Sequence, residues 1–426
     1  MSNWIRKALC AATAVAAAAT LTLPAQAQNR ELRYAIGQPP SALPVIGGQE
    51  FAKAVAKASD GKLTVKVYAM SLLNMAETSA GLRDGIADIG FVLTPYFPAE
   101  YPHTNLISEA SMMLRLMGDK VRGKEGLAYI PAMTEFIFTK CPECHQEFAK
   151  QNQVYTGHVG GSSYGLICNK PVKSEADMKG KRFRVGAANW SRWVTQMGGS
   201  PVTMSANEML EALKQGVVDC IVLSSPEIRN FGLTEVVTDI SMGAPGGIFS
   251  TAGSNVNTKV WRSLSNEQRA ALLRGAAVAA ANVPFAYHRV ENEVLDQMKK
   301  RGARLHETDP ALVQKSQAFI EQDMKTVTDY FASKHGVKRG QQMLTEFRPI
   351  LAKWVDLVQT VSTEEQYADL YWREVFSKVN PATFGMQRAG ARRLGRRANK
   401  ADVWCPLPPD LAGGRGPFSW ARRGAR

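Results

Sequence analysis

Hydrophobic and polar positions alternate with two periods along most of the chain, and together they predict a mixed α/β protein. "LTVKVYAM" (63–70) and "GKRFRVGA" (180–187) alternate every second residue and read as strands. "GQEFAKAVAKASDGK" (48–62) repeats its apolar positions every three to four residues and reads as an amphipathic helix stopping at Gly61. The stretch 265–302 keeps the helical period throughout. Ser265 and Gln268 are placed to cap it, Pro284 to kink it and Gly302 to end it. "IPAMTEFIFT" and "QEFAKQNQ" read as consecutive helical segments, and further helices follow to about Ser377.

One pattern occurs twice. "GLRDGIADIGFVLTP" (81–95) and "ALKQGVVDCIVLSSP" (212–226) align without a gap on Leu82/Leu213, Gly85/Gly216, Asp88/Asp219 and Pro95/Pro226. Each reads as the end of a helix, a glycine suited to the left-handed C′ position, and a buried strand. A capping box from Ser205 to Glu208 is expected to start the second helix. Copies about 130 residues apart are too distant for a solenoid, so they predict two α/β domains built alike.

Composition changes the picture at the two ends. Arg6 and Lys7, an alanine-rich apolar run and Ala25-Gln26-Ala27 form a secretory signal pattern, with the mature chain expected to begin at Gln28. No later run of about 18 consecutive apolar residues predicts a membrane span. The net charge of +14 is unevenly spread. Residues 386–426 carry +8, the signal segment +2, and the remaining +4 on 28–385 gives no reason to expect a nucleic-acid partner. The Arg-, Gly- and Pro-rich tail has no apolar period and reads as disordered or as a translated frameshift.

Several motifs suggest chemistry. Cys141, Cys144 and His145 form C-x-x-C-H, the pattern of covalent haem attachment. Haem would also need an axial partner and an apolar pocket, and in an exported protein paired cysteines are the favoured reading. With Cys10 and Cys405 set aside, Cys141, Cys144, Cys168 and Cys220 allow three connectivities and one or two disulfides. "GSSYG" places Ser163 in G-x-S-x-G, but a strand-like segment follows where a nucleophile elbow needs a helix. "GDKVRGKE" (118–125) imitates a phosphate loop with Glu125 where a hydroxyl should hold magnesium. The six histidines show no metal-ligand spacing. Neither a cofactor nor a metal is expected, and no catalytic set.

"KGKRFRVGAANWSRWVTQMGG" (179–199) is the most informative stretch. Alternation sets Arg184 on the face opposite Phe183 and Val185, near the carboxyl end of its strand, where open α/β sheets bind ligands. Packing on no core face, it is expected to be replaceable without loss of the fold. Asn189 opens a helix with an apolar stripe of Trp190, Trp193, Val194 and Met197. Trp193 is read as core, and Trp190, in the first turn, as a candidate contact.

The chain resembles the DctP-type periplasmic solute-binding proteins of tripartite ATP-independent periplasmic (TRAP) transporters. The resemblance covers roughly residues 31–380 and rests on "EFAKAVAKASDGKLTVKVY", "GLRDGIADIGF", "PVKSEADMKGKRFRV", "MGGSPVTMSANEMLEALKQGVVD" and the long helix. It implies a two-domain binding fold with a long bridging helix, closing on an organic acid that is passed to TRAP membrane subunits without catalysis. The expected plan is a signal peptide (1–27), α/β domain I (28–152), α/β domain II (153–250), a return segment with the long helix and C-terminal helices (251–385), and the basic tail (386–426). The family's carboxylate-binding arginine falls on Arg184. Where members often carry a ligand-contacting Asn, this chain has Ser224 and Ser225, and a second basic position is Tyr164. These departures argue against a small dicarboxylate or sialic acid. Arg192 is the candidate replacement charge, with Asn189 beside it, and Trp190, Tyr164 and Phe91 point to a larger or aromatic acid. A haem electron carrier and a secreted hydrolase at Ser163 are the alternatives.

Overall fold

A computed structural model describes residues 30–386. The signal segment and, apart from Met386, the basic tail lie outside the described residues. In chain order the strands are β1 (Arg30–Ile36), β2 (Leu63–Ala69), β3 (Ile89–Val92), β4 (Gln153–Val154), β5 (His158–Gly160), β6 (Gly165–Cys168), β7 (Arg182–Val185), β8 (Ser200–Thr203), β9 (Cys220–Leu223), β10 (Asp239–Ser241), β11 (Ser250–Asn257) and β12 (Arg304–Leu305). They form two sheets, ordered β2-β1-β3-β11-β4 with β5 also on β11, and β12-β10-β6-β9-β7-β8. The first sheet therefore continues past residue 152, through β4 and β5, before the chain crosses to the second.

Each sheet is built on the same unit, a central strand flanked by two parallel ones: β1 between β2 and β3, β7 between β8 and β9. The repeated sequence lies at matching places in the two units. Gly85 and Gly216 both take left-handed conformations (φ 83° and 68°), as the helix ends require. Asp88 accepts the Arg33 backbone N–H (2.8 Å) and Nε (3.0 Å), while Arg33 Nη2 donates to the Gly85 carbonyl. Asp219 likewise accepts the Arg182 backbone N–H (2.9 Å) and Nε (3.3 Å), while Arg182 Nη2 donates to the Gly216 carbonyl. In both halves the helix end is thus clasped to the first strand.

The long helix, Asn266–Lys300, closes its N-terminus with the expected Ser265–Gln268 capping box and continues unbroken through Pro284. Its 35 residues span about 52 Å. The Ala-rich middle has the length and composition of a membrane span, but most of it is buried inside the protein. It packs closely on Leu43–Ala58, because a Cβ at Gly47 would lie 2.3 Å from Val283 and one at Gly275 would lie 2.5 Å from Val55. That first helix starts five residues earlier than its periodicity suggested, with a proline in its first turn.

Two other sequence expectations are refined. Ser205 caps a short 3₁₀ turn, Ala206–Glu208, through the Asn207 N–H, and the α-helix begins only at Met209. The reciprocal bond from Glu208 is not made. All four candidate cysteines pair, Cys141 with Cys144 and Cys168 with Cys220. The second pair joins directly opposed residues of β6 and β9.

Candidate functional site

A cleft lies between the two sheets, with Val283 and Tyr287 of the long helix in its wall. Arg184 enters it from β7. Phe183 and Val185 are fully buried on the other face, so the alternation behaves as expected. Arg184 is itself only 1% exposed, however, and a guanidinium tolerates such burial only when its charge and donors are matched. Nε and Nη2 donate to the Met204 carbonyl at 3.1 and 2.9 Å, and Nη2 donates to the Tyr96 hydroxyl at 3.0 Å. The side-on edge of the fork is therefore occupied by backbone. The arginine is bonded into the local framework, contrary to the expectation that it packs on no core face. No acceptor for Nη1 is recorded among the described residues, so its two N–H groups remain for a guest.

Tyr96, in the 3₁₀ turn Thr94–Tyr96 just after β3, reaches across from the first sheet. Its hydroxyl accepts from Arg184 and also from the Ala206 N–H at 2.8 Å. A phenol oxygen with both lone pairs engaged has only its proton left to offer. Arg184 Nη1 and the Tyr96 O–H are thus two donors in the same cleft, as a carboxylate needs.

Five further aromatic rings line the wall, among aliphatic and small residues. Tyr164 stacks on Trp190 (4.4 Å between centroids, 14°) and Phe249 lies near parallel to both, while Phe91, Phe231 and Tyr287 also line the cleft. Trp190 donates its indole N–H to the Gly246 carbonyl. On the wall near the long helix, Glu227 accepts from the Tyr287 hydroxyl (2.6 Å) and Asn230 Nδ2 (2.9 Å). Burial raises its carboxyl above the usual range, opposed in part by Tyr287, Asn230 and Arg184.

The sequence-selected residues divide clearly. Arg184, Tyr164 and Phe91 line the cleft, with Trp190 directly behind Tyr164. Ser224 follows the lining residue Leu223, and its Oγ is buried with no partner among the described residues; both side-chain amide atoms of Asn189 are in the same condition. Ser225 donates to the Glu291 carbonyl on the long helix. Arg192 is not a lining residue. It donates twice to Asp323 (2.7 and 2.9 Å) and once to Glu109 (2.7 Å), and it lies over the Tyr330 ring. Its charge is consumed by these anions, so it cannot replace a ligand contact while they hold it. Tyr96, Phe249, Glu227 and Gln38 line the cleft without having been singled out. "VLTPY" carried a turn signal for Tyr96, but nothing local shows that the turn faces Arg184.

The rival motifs lack their surroundings. The sulfurs of Cys141 and Cys144 are bonded to each other, and His145 is packed among Phe138, Tyr155 and Phe384. Ser163 precedes strand β6 with no helix after it.

The model of bacterial extracellular solute-binding protein family 7, DctP, matches residues 37–334. The chain belongs to this family. Two proteins described as solute-binding protein are similar to it: one from Albidiferax ferrireducens is 24% identical over 295 residues, 68% of this chain and 81% of its own length, and one from Chromohalobacter salexigens is 23% identical over 297 residues, 67% and 80%. Among solved structures, DctP7 of Bordetella pertussis, an extracytoplasmic solute receptor binding pyroglutamic acid, aligns with TM-score 0.61 and 25% identity over 75% of this chain and 99% of its own. A marine metagenome TRAP solute-binding protein specific for aromatic acids, in complex with 3-hydroxybenzoate, aligns with TM-score 0.65 and 19% identity over 77% and 99%. This DctP-family protein therefore has the two-domain fold with a bridging helix and an interdomain cleft, in a family of binding proteins rather than enzymes.

Proposed function

We propose that the protein is exported with loss of its signal peptide, captures an organic acid in the periplasm and delivers it to the membrane subunits of a TRAP transporter. The ligand carboxylate meets Arg184 Nη1 and the Tyr96 hydroxyl, and its body lies against Tyr164, Phe249 and Phe91. The observation that carries this reading is the buried guanidinium on the cleft wall, with no carboxylate of the protein bonded to it among the described residues. In a water-poor cleft such a cation gains most from an incoming anion. The aromatic walls favour a flat or apolar body over a polyhydroxylated one. That the similar receptors bind pyroglutamate and 3-hydroxybenzoate supports the same class of ligand here. A thermal-shift screen against a panel of organic acids tests the proposal, since a ligand at 100 times its Kd adds ~2.7 kcal/mol of stability. A panel with no stabilising acid would refute it.

A further inference from the structure

Arg184 and Glu227 line the same cleft, and no cationic side chain is bonded to Glu227 among the described residues. It sits on Pro226–Asn230, the turn of helix directly after β9, and its side-chain neighbours are neutral. Oε1 accepts from Tyr287 and Oε2 from Asn230. Each carboxylate oxygen can take two donors, so each retains one free acceptor direction. A second acceptor lines the same cleft: Gln38 is 5% exposed, and its Oε1 is buried with no partner among the described residues. The helix that follows the Gln38 loop, Leu43–Ala58, is tied to the Glu227 helix by the Leu43 N–H, which donates to Asn230 Oδ1 at 3.3 Å. The cleft therefore combines a donor site at Arg184 and Tyr96 with an acceptor site at Glu227 and Gln38.

We infer that the cleft selects an acid bearing one carboxylate and, away from it, an N–H or O–H donor, with Glu227 as the residue that reads the donor. The inference rests on the cleft being an organic-acid site. A ligand that brings only an apolar edge to Glu227 leaves a buried acceptor unpaired, and unmade bonds of this kind discriminate more strongly than lost apolar contact. A second carboxylate would be repelled there, so dicarboxylates are excluded by charge.

The test compares matched acids by titration calorimetry: 3-hydroxybenzoate with benzoate, pyroglutamate with cyclopentanecarboxylate, and glutarate as the dicarboxylate. The wild type is expected to bind a donor-bearing acid roughly ten- to hundred-fold more tightly than its partner, the value of a hydrogen bond to a charged group. Glutarate should not bind. In Glu227→Gln, of nearly equal shape, the preference should fall to within about three-fold, and glutarate should gain affinity. Equal affinities in the wild type, or a preference unchanged in Glu227→Gln, would overturn the inference. If Glu227→Gln does not fold, the wild-type ratios alone decide. Matched acids that bind equally and are both lost in Arg184→Ala would leave the acid-binding reading standing and remove only the role of Glu227. Failure of every acid to bind would remove both.

Discussion

Replacing Arg184 separates its two duties, holding the framework and holding the ligand. Arg184→Ala removes three framework hydrogen bonds, leaving the Met204 carbonyl without either guanidinium donor and Tyr96 without one of its two. An unpaired buried acceptor costs about 1–3 kcal/mol, but removing a buried cation also relieves its desolvation. The free protein should consequently lose no more than about 1–3 kcal/mol. Binding should suffer more, because truncating one member of a buried charge pair costs on the order of 2–5 kcal/mol, roughly 30- to 5000-fold in Kd. Arg184→Lys keeps the charge but cannot hold Met204, Tyr96 and a carboxylate together. It should recover part of the affinity and change the ranking of acids. Calorimetry with an acid found by the screen, beside melting curves of the ligand-free variants, measures the two duties separately. If Arg184→Ala melts cooperatively and binds that acid as tightly as the wild type, the carboxylate is held elsewhere and the argument from the buried guanidinium fails.

Tyr96→Phe removes the second carboxylate donor and should weaken acid binding by roughly ten-fold, as read by the same titration. Cys168 and Cys220 are 52 residues apart, so replacing both by serine should cost about 4 kcal/mol by loop entropy, against about 2 for the Cys141–Cys144 pair; urea melts of the two double variants check the order. Burial, with added repulsion from Glu125, pushes the Glu291 carboxyl up to about 7. Its folded-state pKa is raised, so its favourable contribution is complete below the unfolded value near pH 4.5 and lost as pH rises through 7. Glu291→Gln should therefore stabilise the protein by about 1–3 kcal/mol at pH 8 and hardly at all at pH 4, measured by melting across that range.

Periodicity and punctuation revealed much of the fold. The alternation at 182–185, the capped long helix and the paired Gly–Asp motifs are local signals, and each marks an element found in the structure. The place of Arg184 on the cleft wall was also legible, because alternation separates it from its apolar neighbours. Its partners were not. Tyr96 precedes Arg184 by 88 residues and lies on the other sheet, so only the closed fold brings them together. Arg192 misled for the complementary reason. Its sequence neighbourhood suggests a ligand contact, whereas Glu109 and Asp323, 83 and 131 residues away, neutralise it. Glu227 reads locally as an ordinary first-turn acidic residue, and only the cleft around it gives its charge significance.

The Tyr96 hydroxyl also has a consequence for opening. It joins the first sheet to both Arg184 and Ala206, and Asn207 adds a bond of 3.1 Å from its Nδ2 to the Gly37 carbonyl. Closure of the cleft is thus held in part by the protein's own bonds, which join the two sheets at the residues proposed to seat the carboxylate. Moving the sheets apart requires these bonds to part, so they contribute to the barrier against opening the cleft.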